Sequence, residues 1–370
     1  MLEFDHGLRL HRLMEKLKES PADTVWILQP ENRRYLSGFR ATDMQMTESS
    51  GSLLIREDRR VLVTDSRYGE EAKREAPLFE VQVPAEGLLG RLPGLLAEMG
   101  CRVVGFEPDW VTWNLYQRVR EKIDGLSPPV RLEPLEGIVE GLREVKDAQE
   151  LRAVEESARL MGRVLDEVVE DLRPGMTERA VARRIENLAW EAGAEGLAFP
   201  PIVASGPNGA LPHAVPTQRP LKVGEAIVLD VGLKLHGYCC DMTRTVFLDG
   251  PDELFRKIYR TVREAQLAAM AEIRDGVLST LPDAVARDII REAGFGAYFG
   301  HALGHGVGLA AHERPRMAPR DAVTLKSGAV VTVEPGIYIP GKGGVRLEEM
   351  VVVEPDGARV LTHAGHVYDF

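Results

Sequence analysis

Two pairs of acidic residues, each spaced to meet across a hairpin, constrain this chain more than any other feature. Asp230 lies near the end of the apolar run 226–231, and Asp241 lies within a second strand-like run, 238–247. A turn is expected at 235–237, so the two aspartates are predicted to face each other across the hairpin. Directly opposed side chains lie roughly 4.5–5.5 Å apart between Cβ atoms, where like charges repel.

The same arrangement recurs further along the chain. Glu334 ends the run 330–334, Glu348 ends the run 345–348, and the glycine-rich segment 341–344 lies between them. A buried carboxylate in a strand is costly unless something neutralises it. Two such pairs therefore predict bound cations, because four carboxylates can neutralise two divalent ions and still bridge them. Carboxylates with one imidazole suit manganese or cobalt, with zinc possible, better than a thiolate site would.

Four histidines are candidates for the remaining chemistry. His301 and His305 are four residues apart, as in the zinc motif His-Glu-x-x-His, but the glutamate is missing and nearby glycines argue against a helix. We interpret one of the two as a ligand and the other as a residue that orients its neighbours. His213, beside two prolines, and His312, in a charged segment, would each be read as surface residues if taken alone.

Composition narrows the class of protein and its partners. A net charge of −11 argues against binding to nucleic acid or to an anionic membrane. Three cysteines, two of them adjacent, make a poor disulfide framework and fit a reducing compartment. No apolar run approaches about 18 residues, so no membrane span is expected. We therefore expect a cytoplasmic protein.

The 370 residues suffice for two domains or one large one. Residues 1–140 alternate helix and strand signals, which predicts an α/β domain, and a proline-rich stretch places the boundary before a second domain at 141–370. Asp147 and Glu150 form a capping box before a long helix, and Thr177 can cap a second one.

A short internal echo suggests a duplicated helix-helix-hairpin unit. The segment Arg173-Pro-Gly-Met precedes one amphipathic helix, and Arg274-Asp-Gly-Val precedes another. Chance similarity between two amphipathic helices is the rival explanation.

Eight short motifs, in order over roughly residues 146–370, resemble the pita-bread metallopeptidases, which include prolidase, aminopeptidase P, methionine aminopeptidase and creatinase. The motifs are Ile202-Val-Ala-Ser-Gly206, Pro212-His213, Leu229-Asp230-Val-Gly232, Asp241-Met-Thr-Arg-Thr245, Gly304-His305-Gly306, His312-Glu313, Val333-Glu334-Pro-Gly336 and Val345-Arg-Leu-Glu348. Residues 35–39 and 64–68 are similar to the N-terminal domain of prolidases and aminopeptidases P. Methionine aminopeptidases generally lack that domain, and creatinases do not keep the metal ligands.

The resemblance implies an α/β N-terminal domain and an α+β pita-bread catalytic domain, a curved antiparallel sheet backed by helices. It also implies a dinuclear metal centre. Asp230 would bind one ion, and Asp241 and Glu348 would bridge to the second. The remaining ligands, His305 and Glu334, would bind that second ion.

The other roles that the resemblance implies concern the substrate. His213 and His312 would hold the scissile carbonyl oxygen and the developing oxyanion, and Glu334 would move a proton to the leaving nitrogen. Phe199 would form a wall for the proline ring, and Arg316 would meet the free carboxylate of a dipeptide. Residues expected to support the ligands from behind are His301, Thr243 and Arg346.

The implied activity is hydrolysis of the Xaa-Pro bond in dipeptides, most like that of a bacterial or archaeal Xaa-Pro dipeptidase, by a homodimer. Aminopeptidase P activity on longer proline-containing peptides is the close alternative. A non-catalytic pita-bread protein that binds peptides or other proteins is a more remote one, since such proteins usually lose metal ligands.

Overall fold

Two units make up the fold of the chain in a computed structural model that describes every residue except Met1, Met44, Met46 and Asp321. One unit is Glu3–Arg143, and the other is Glu144–Phe370 together with Leu2. The division follows Arg143, and the sequence places the boundary after residue 140.

The N-terminal unit is a mixed sheet flanked by helices, so the predicted α/β class is confirmed. Its helices are α1 (His6–Leu17), α2 (Pro30–Ser37), α3 (Gly69–Glu75), α4 (Gly87–Glu98), α5 (Trp113–Ile123) and α6 (Glu140–Arg143). Its strands are β1 (Thr24–Ile27), β2 (Gly51–Ile55), β3 (Arg60–Thr64), β4 (Glu80–Gln82), β5 (Val103–Phe106) and β6 (Arg131–Pro134). The sheet order is β4-β3-β2-β1-β5-β6, with β2 antiparallel to both neighbours.

The C-terminal unit combines two helical hairpins with antiparallel strands. Its helices are α7 (Ala148–Asp171), α8 (Glu178–Glu191), α9 (Glu253–Glu272) and α10 (Thr280–Glu292), with short 3-10 turns at Gly206–Ala210 and Gly296–Tyr298. The first half of the unit also holds β7 (Gly196–Leu197), β8 (Ile202–Ser205), β9 (Ala226–Val231), β10 (Leu233–Leu235), β11 (Tyr238–Cys239) and β12 (Met242–Phe247). The later strands are β13 (Gly304–Gly306), β14 (Glu313–Met317), β15 (Val330–Val333), β16 (Gly336–Ile339), β17 (Gly343–Arg346), β18 (Glu349–Glu354) and β19 (Gly357–Val360).

Sheet connectivity places the motif-bearing strands side by side. The described strands of this unit form sheets in the orders β11-β10-β7, β12-β9-β8, β14-β13-β15-β18-β19 and β16-β17. The predicted capping box is present at the start of α7, where Asp147 Oδ1 accepts hydrogen bonds from the backbone amides of Gln149 and Glu150, and Glu150 Oε2 accepts one from Asp147 N.

Backbone contacts support the duplication within this unit. Gly175, in the turn between α7 and α8, donates its N–H to Leu221 O at 2.9 Å. Gly276, in the turn between α9 and α10, donates to Leu325 O at the same distance. Both glycines have positive φ, at 90° and 80°. The two helical hairpins therefore bind, in the same way, the segments that lead into β9 and β15.

The described helices include none with both the length and the apolar character of a membrane span.

Candidate active site

The first acidic pair lies on the hairpin formed by β9 to β12, in a register that differs from the predicted one. Asp230 pairs with Thr243, two residues beyond Asp241. The chain reverses at His236 and Gly237, whose φ values of 53° and 82° suit a two-residue turn of the mirror-image type. The prediction that the aspartates directly oppose each other is therefore wrong. Side chains alternate along a strand, so a shift of two residues still leaves both aspartates on one face.

The second acidic pair lies between two antiparallel strand pairs, β15 with β18 and β16 with β17, which share one register. They pair Val333 with Glu349 and Gly336 with Arg346. Glu334 and Glu348 fall between the strand pairs and are opposite each other in that register, as the sequence predicts. Their backbone amides bond elsewhere: Glu334 N donates to Leu303 O at 2.9 Å, and Glu348 N donates to Thr243 O at 3.1 Å.

The two hairpins are joined through Thr243. Its hydroxyl donates to Glu348 Oε2 at 2.8 Å and accepts from Arg346 Nε at 3.1 Å. Together with the backbone bond from Glu348 to Thr243, these contacts bring the first acidic pair against the second. Thr243 itself does not line the cavity described below, judged over the residues that the structure describes.

His305 brings the imidazole to this group of acids. One ligand atom each of Asp241, His305 and Glu348 lies within 4.8 Å of the others. His305 Nε2 is 3.3 Å from Glu334 Oε1 and 3.7 Å from Asp241 Oδ2. Its Nδ1 lies 3.0 Å from Gly306 O and is assigned as the donor there, which turns Nε2 towards the carboxylates.

The cluster carries more negative charge than its buried surroundings favour. Burial, and then the charges of Glu348, Asp230 and Glu334, raise the pKa of Asp241 well above its ordinary value. Burial and the charges of Glu334 and Asp230 likewise raise the pKa of Glu348. Burial alone would raise the pKa of Glu334, but its hydrogen bond and charge interaction with His305 lower it.

One buried atom is directly suited to a cation. Glu348 Oε1 is buried and has no hydrogen-bond partner among the described residues. A buried acceptor without a donor is costly, and more so when charged. The set of carboxylates and one imidazole therefore fits a divalent metal centre, with Glu348 Oε1 as one of its ligand atoms.

A hydrogen-bonded network supports the cluster from behind. Arg346 Nη2 donates to Asp230 Oδ2 at 2.6 Å, and its Nη1 donates to the Tyr338 hydroxyl at 2.8 Å. Tyr338 in turn lies 2.9 Å from His301 Nε2, and His301 Nδ1 lies 2.8 Å from Ala302 O. Arg346 thus contacts the ligand candidate Asp230 directly, and Tyr338 links Arg346 to His301. The sequence analysis missed Tyr338.

A cavity of about 670 Å³ opens over the acids. Residues predicted to meet the substrate all line it: Phe199, His213, His312 and Arg316. The same cavity is lined by Asp230, Asp241, His301, His305, Glu334, Arg346 and Glu348. The apolar part of the lining is rich in proline and comprises Phe199, Pro200, Pro201, Ile202, Pro212, Val215 and Pro216.

The polar side chains that line the cavity include His305, His312 and Arg316. The rings of His305 and His312 are in contact in a tilted arrangement, with centroids 4.1 Å apart and planes inclined by 36°. Burial, and then the nearby His305, lower the pKa of His312, which favours its neutral form. Arg316 is exposed on β14 and pairs across the sheet with His305. A guanidinium group thus stands next to the metal-ligand candidates.

Comparison with known proteins finds similarity over both units. A model of metallopeptidase family M24 matches residues 152–355, and a model of the creatinase/prolidase N-terminal domain matches residues 9–145. A Xaa-Pro dipeptidase of Pyrococcus furiosus is 34% identical over 354 residues, which span 96% of this chain and 97% of that protein.

Solved structures give the same picture. A Xaa-Pro dipeptidase from Bacillus anthracis superposes with a TM-score of 0.91 at 36% identity, covering 98% of each chain. An X-Pro aminopeptidase from Thermotoga maritima gives a TM-score of 0.88 at 34% identity, covering 96% of this chain and 98% of that one. Overall similarity is therefore comparable for proteins named after two different substrate preferences.

Proposed function

Because this chain belongs to metallopeptidase family M24 and carries a creatinase/prolidase N-terminal domain, we propose that it hydrolyses the Xaa-Pro peptide bond and prefers dipeptides. Its larger unit is the pita-bread catalytic domain, as predicted. The observation that carries the proposal is the group of buried acids around His305, in which Glu348 Oε1 has no hydrogen-bond partner among the described residues.

We propose that the acids and His305 hold two divalent metal ions, manganese or cobalt in preference to zinc. The ligands would be Asp230, Asp241, His305, Glu334 and Glu348. Such ions polarise a scissile carbonyl and make water a nucleophile at neutral pH. The chain supplies the fixed geometry, since Arg346 and Thr243 restrain the orientations of Asp230 and Glu348 through the hydrogen bonds described above.

The histidines on the cavity walls would act on the substrate directly. A neutral imidazole still donates one N–H, so His312 with its lowered pKa can donate to the carbonyl oxygen and to the oxyanion that follows. His213 would provide the second donor. Glu334 would accept a proton from the attacking water and deliver it to the leaving nitrogen. The apolar wall around Phe199 suits the proline ring.

Selection for dipeptides would come from Arg316. In a dipeptide the proline carboxylate lies just beyond the scissile bond, where a guanidinium can bind it in a two-point fork. In a longer peptide an amide without charge takes that place. Arg316 lines the cavity beside His312 and is exposed within it, so its guanidinium can reach such a carboxylate.

We expect Arg316→Ala to raise the KM for Xaa-Pro by about 10- to 100-fold, because a charge-assisted hydrogen bond is worth roughly 1.5–3 kcal/mol. The KM for Xaa-Pro-Yaa should change little. Steady-state kinetics on both substrates measure the difference. Arg314→Ala is the matched control, since Arg314 is also exposed on β14 but is outside the described cavity lining.

Aminopeptidase P activity remains the second candidate because of the structural similarity to the X-Pro aminopeptidase. Equal effects of Arg316→Ala on both substrates, or a wild-type enzyme that cleaves tripeptides as well as dipeptides, would favour it. A protein that binds metal but turns over neither substrate would favour a non-catalytic, peptide-binding role.

We further propose a cytoplasmic homodimer. All three cysteines, Cys101, Cys239 and Cys240, are unbridged and buried, which suits a reducing compartment. Light scattering of the purified protein tests the dimer, and a monomeric mass at assay concentration would contradict it.

A further inference from the structure

Glu178, the first residue of α8, is a buried carboxylate that binds both ends of one loop. Its Oε1 accepts from Ser205 N at 2.7 Å and from Ser205 Oγ at 2.9 Å. Its Oε2 accepts from Asn208 Nδ2 at 2.8 Å, Thr217 N at 3.0 Å and Thr217 Oγ1 at 2.6 Å. Ser205 precedes the segment 206–216 and Thr217 follows it, so a single side chain closes this loop.

The loop 206–216 carries His213, which the proposed mechanism uses as a donor to the substrate. The Asn208 side chain extends the contact of Glu178 by also donating to Val215 O at 3.4 Å. On the other side, Arg346 Nη1 donates to Pro212 O at 3.2 Å. The His213 side chain is exposed, so its direction depends on the backbone that these contacts fix.

Comparison with the second helical hairpin shows whether the Glu178 carboxylate is needed for the turn between the helices or only for the loop 206–216. Glu178 N donates to Arg219 O at 3.1 Å. Its counterpart in the second helical hairpin is Ser279, whose N donates to Val323 O at 2.8 Å. The turn between paired helices therefore forms with a serine at this position, and the carboxylate is not needed to build it.

Stabilisation of the helix does not account for the contacts of Glu178 either. A glutamate in the first turn of a helix is favoured by the helix dipole, but an exposed side chain would serve that purpose. Glu178 is instead fully buried, and each of its oxygens accepts at least two hydrogen bonds from residues of the loop or its ends. Burial of a charged group is sustained by such multiple donors.

We propose that Glu178 is a positioning residue for His213, holding the loop 206–216 so that the imidazole faces the scissile carbonyl. The inference rests on the function proposed above. Glu178 is outside the cavity lining in the described part of the chain, so it acts through the loop and not on the substrate. A misplacement of about 1 Å in a group that acts on the substrate can cost roughly 10²-fold in rate.

The first test is Glu178→Gln, which keeps the side-chain volume but replaces one acceptor oxygen by an amide that faces donors. We expect kcat for Xaa-Pro to fall about 10- to 100-fold, while KM and metal content stay close to wild type. Glu186→Gln, at an exposed position of the same helix, is the matched control and should leave kcat unchanged.

A double-mutant cycle with His213→Ala distinguishes positioning from general damage. If Glu178 acts through His213, Glu178→Gln should lower kcat far less in the His213→Ala background than in wild type. Equal losses in both backgrounds would overturn the proposal. If Glu178→Gln does not fold, two other variants take its place in the cycle. Thr217→Val and Asn208→Ala each remove a donor to the Glu178 carboxylate.

Hydrogen exchange of the intact protein gives a readout that needs no substrate. Amides of the loop 206–216 should exchange faster in Glu178→Gln than in Glu186→Gln, with α10 unchanged in both. If the loop exchanges faster in Glu178→Gln but the wild type does not cleave Xaa-Pro, the proposed function would be refuted, and only the restraint of the loop by Glu178 would remain. Wild-type turnover with unaltered loop exchange, or with unaltered kcat in Glu178→Gln, would overturn the positioning role.

Discussion

Asp241→Asn and Glu348→Gln are each expected to lower kcat/KM at least about 10³-fold, because a metal ion contributes several kcal/mol to the transition state and each 1.36 kcal/mol is tenfold in rate. Both residues belong to the group whose ligand atoms lie within 4.8 Å of one another. The amide keeps the shape of the side chain but removes the charge that would bridge two ions. Steady-state kinetics on a Xaa-Pro dipeptide provide the measurement.

Elemental analysis and chelation complete this test. Active protein should hold about two divalent ions per chain, the number that two-metal hydrolytic sites use. Chelation should abolish turnover, and added manganese or cobalt should restore it. Full activity in protein shown to be free of metal would refute the metal centre.

The metal-free protein offers a separate check on the charge argument. Asp241→Asn should raise its melting temperature, by about 2–4 °C for each kcal/mol of repulsion removed in a unit of this size. The reason is that burial, and then the negative charges of Glu348 and Asp230, disfavour the ionised form of Asp241 in the folded state. Glu186→Gln serves as the control, and a metal-free Asp241→Asn protein that melts below wild type would count against mutual repulsion.

His213→Ala and His312→Ala should each reduce kcat by about 10²–10³, the scale for removing one oxyanion donor. Both side chains line the cavity, and the centroid of the His312 ring lies 4.1 Å from that of the ligand candidate His305. Their metal content should match wild type, because neither histidine belongs to the group of ligand atoms around Glu348.

Elemental analysis of the same two preparations distinguishes a donor from a ligand. A variant that loses its metals together with its activity would show that the histidine is a ligand. His11→Ala, on the exposed face of α1, controls for a general effect of removing an imidazole.

The register of the second hairpin could be predicted because glycines mark the centre of its turn. The register of the first could not, because the ends of its turn are ambiguous in the sequence. The glycine-rich segment 341–344 centres the second hairpin, and the expected pairing of Glu334 with Glu348 follows the observed register. In the first hairpin the expected turn at 235–237 began one residue too early: Leu235 pairs with Tyr238, and the chain reverses at His236 and Gly237, where histidine adopts positive φ less readily than glycine. The predicted pairing was therefore wrong by two residues.

Residues whose importance depends on distant partners left no usable signal in the sequence. Tyr338 reads as an ordinary aromatic strand residue, and its bond to His301 spans 37 positions. Glu178 reads as an ordinary acid in the first turn of a helix, and its bond to Thr217 spans 39 positions. Capping boxes such as that at Asp147 could be found because all their partners are local.

The duplicated halves of the catalytic unit also set the terms on which it can unfold. Asp230 and Asp241 belong to the first half, whereas His305, Glu334 and Glu348 belong to the second. Ions bound between these ligands would link the two halves, because neither half alone provides the full set of ligands. A ligand at about a thousandfold excess over its Kd adds roughly 4 kcal/mol to stability. The concentration of free metal would therefore set the stability of the contact between the two halves as well as the turnover rate of the site.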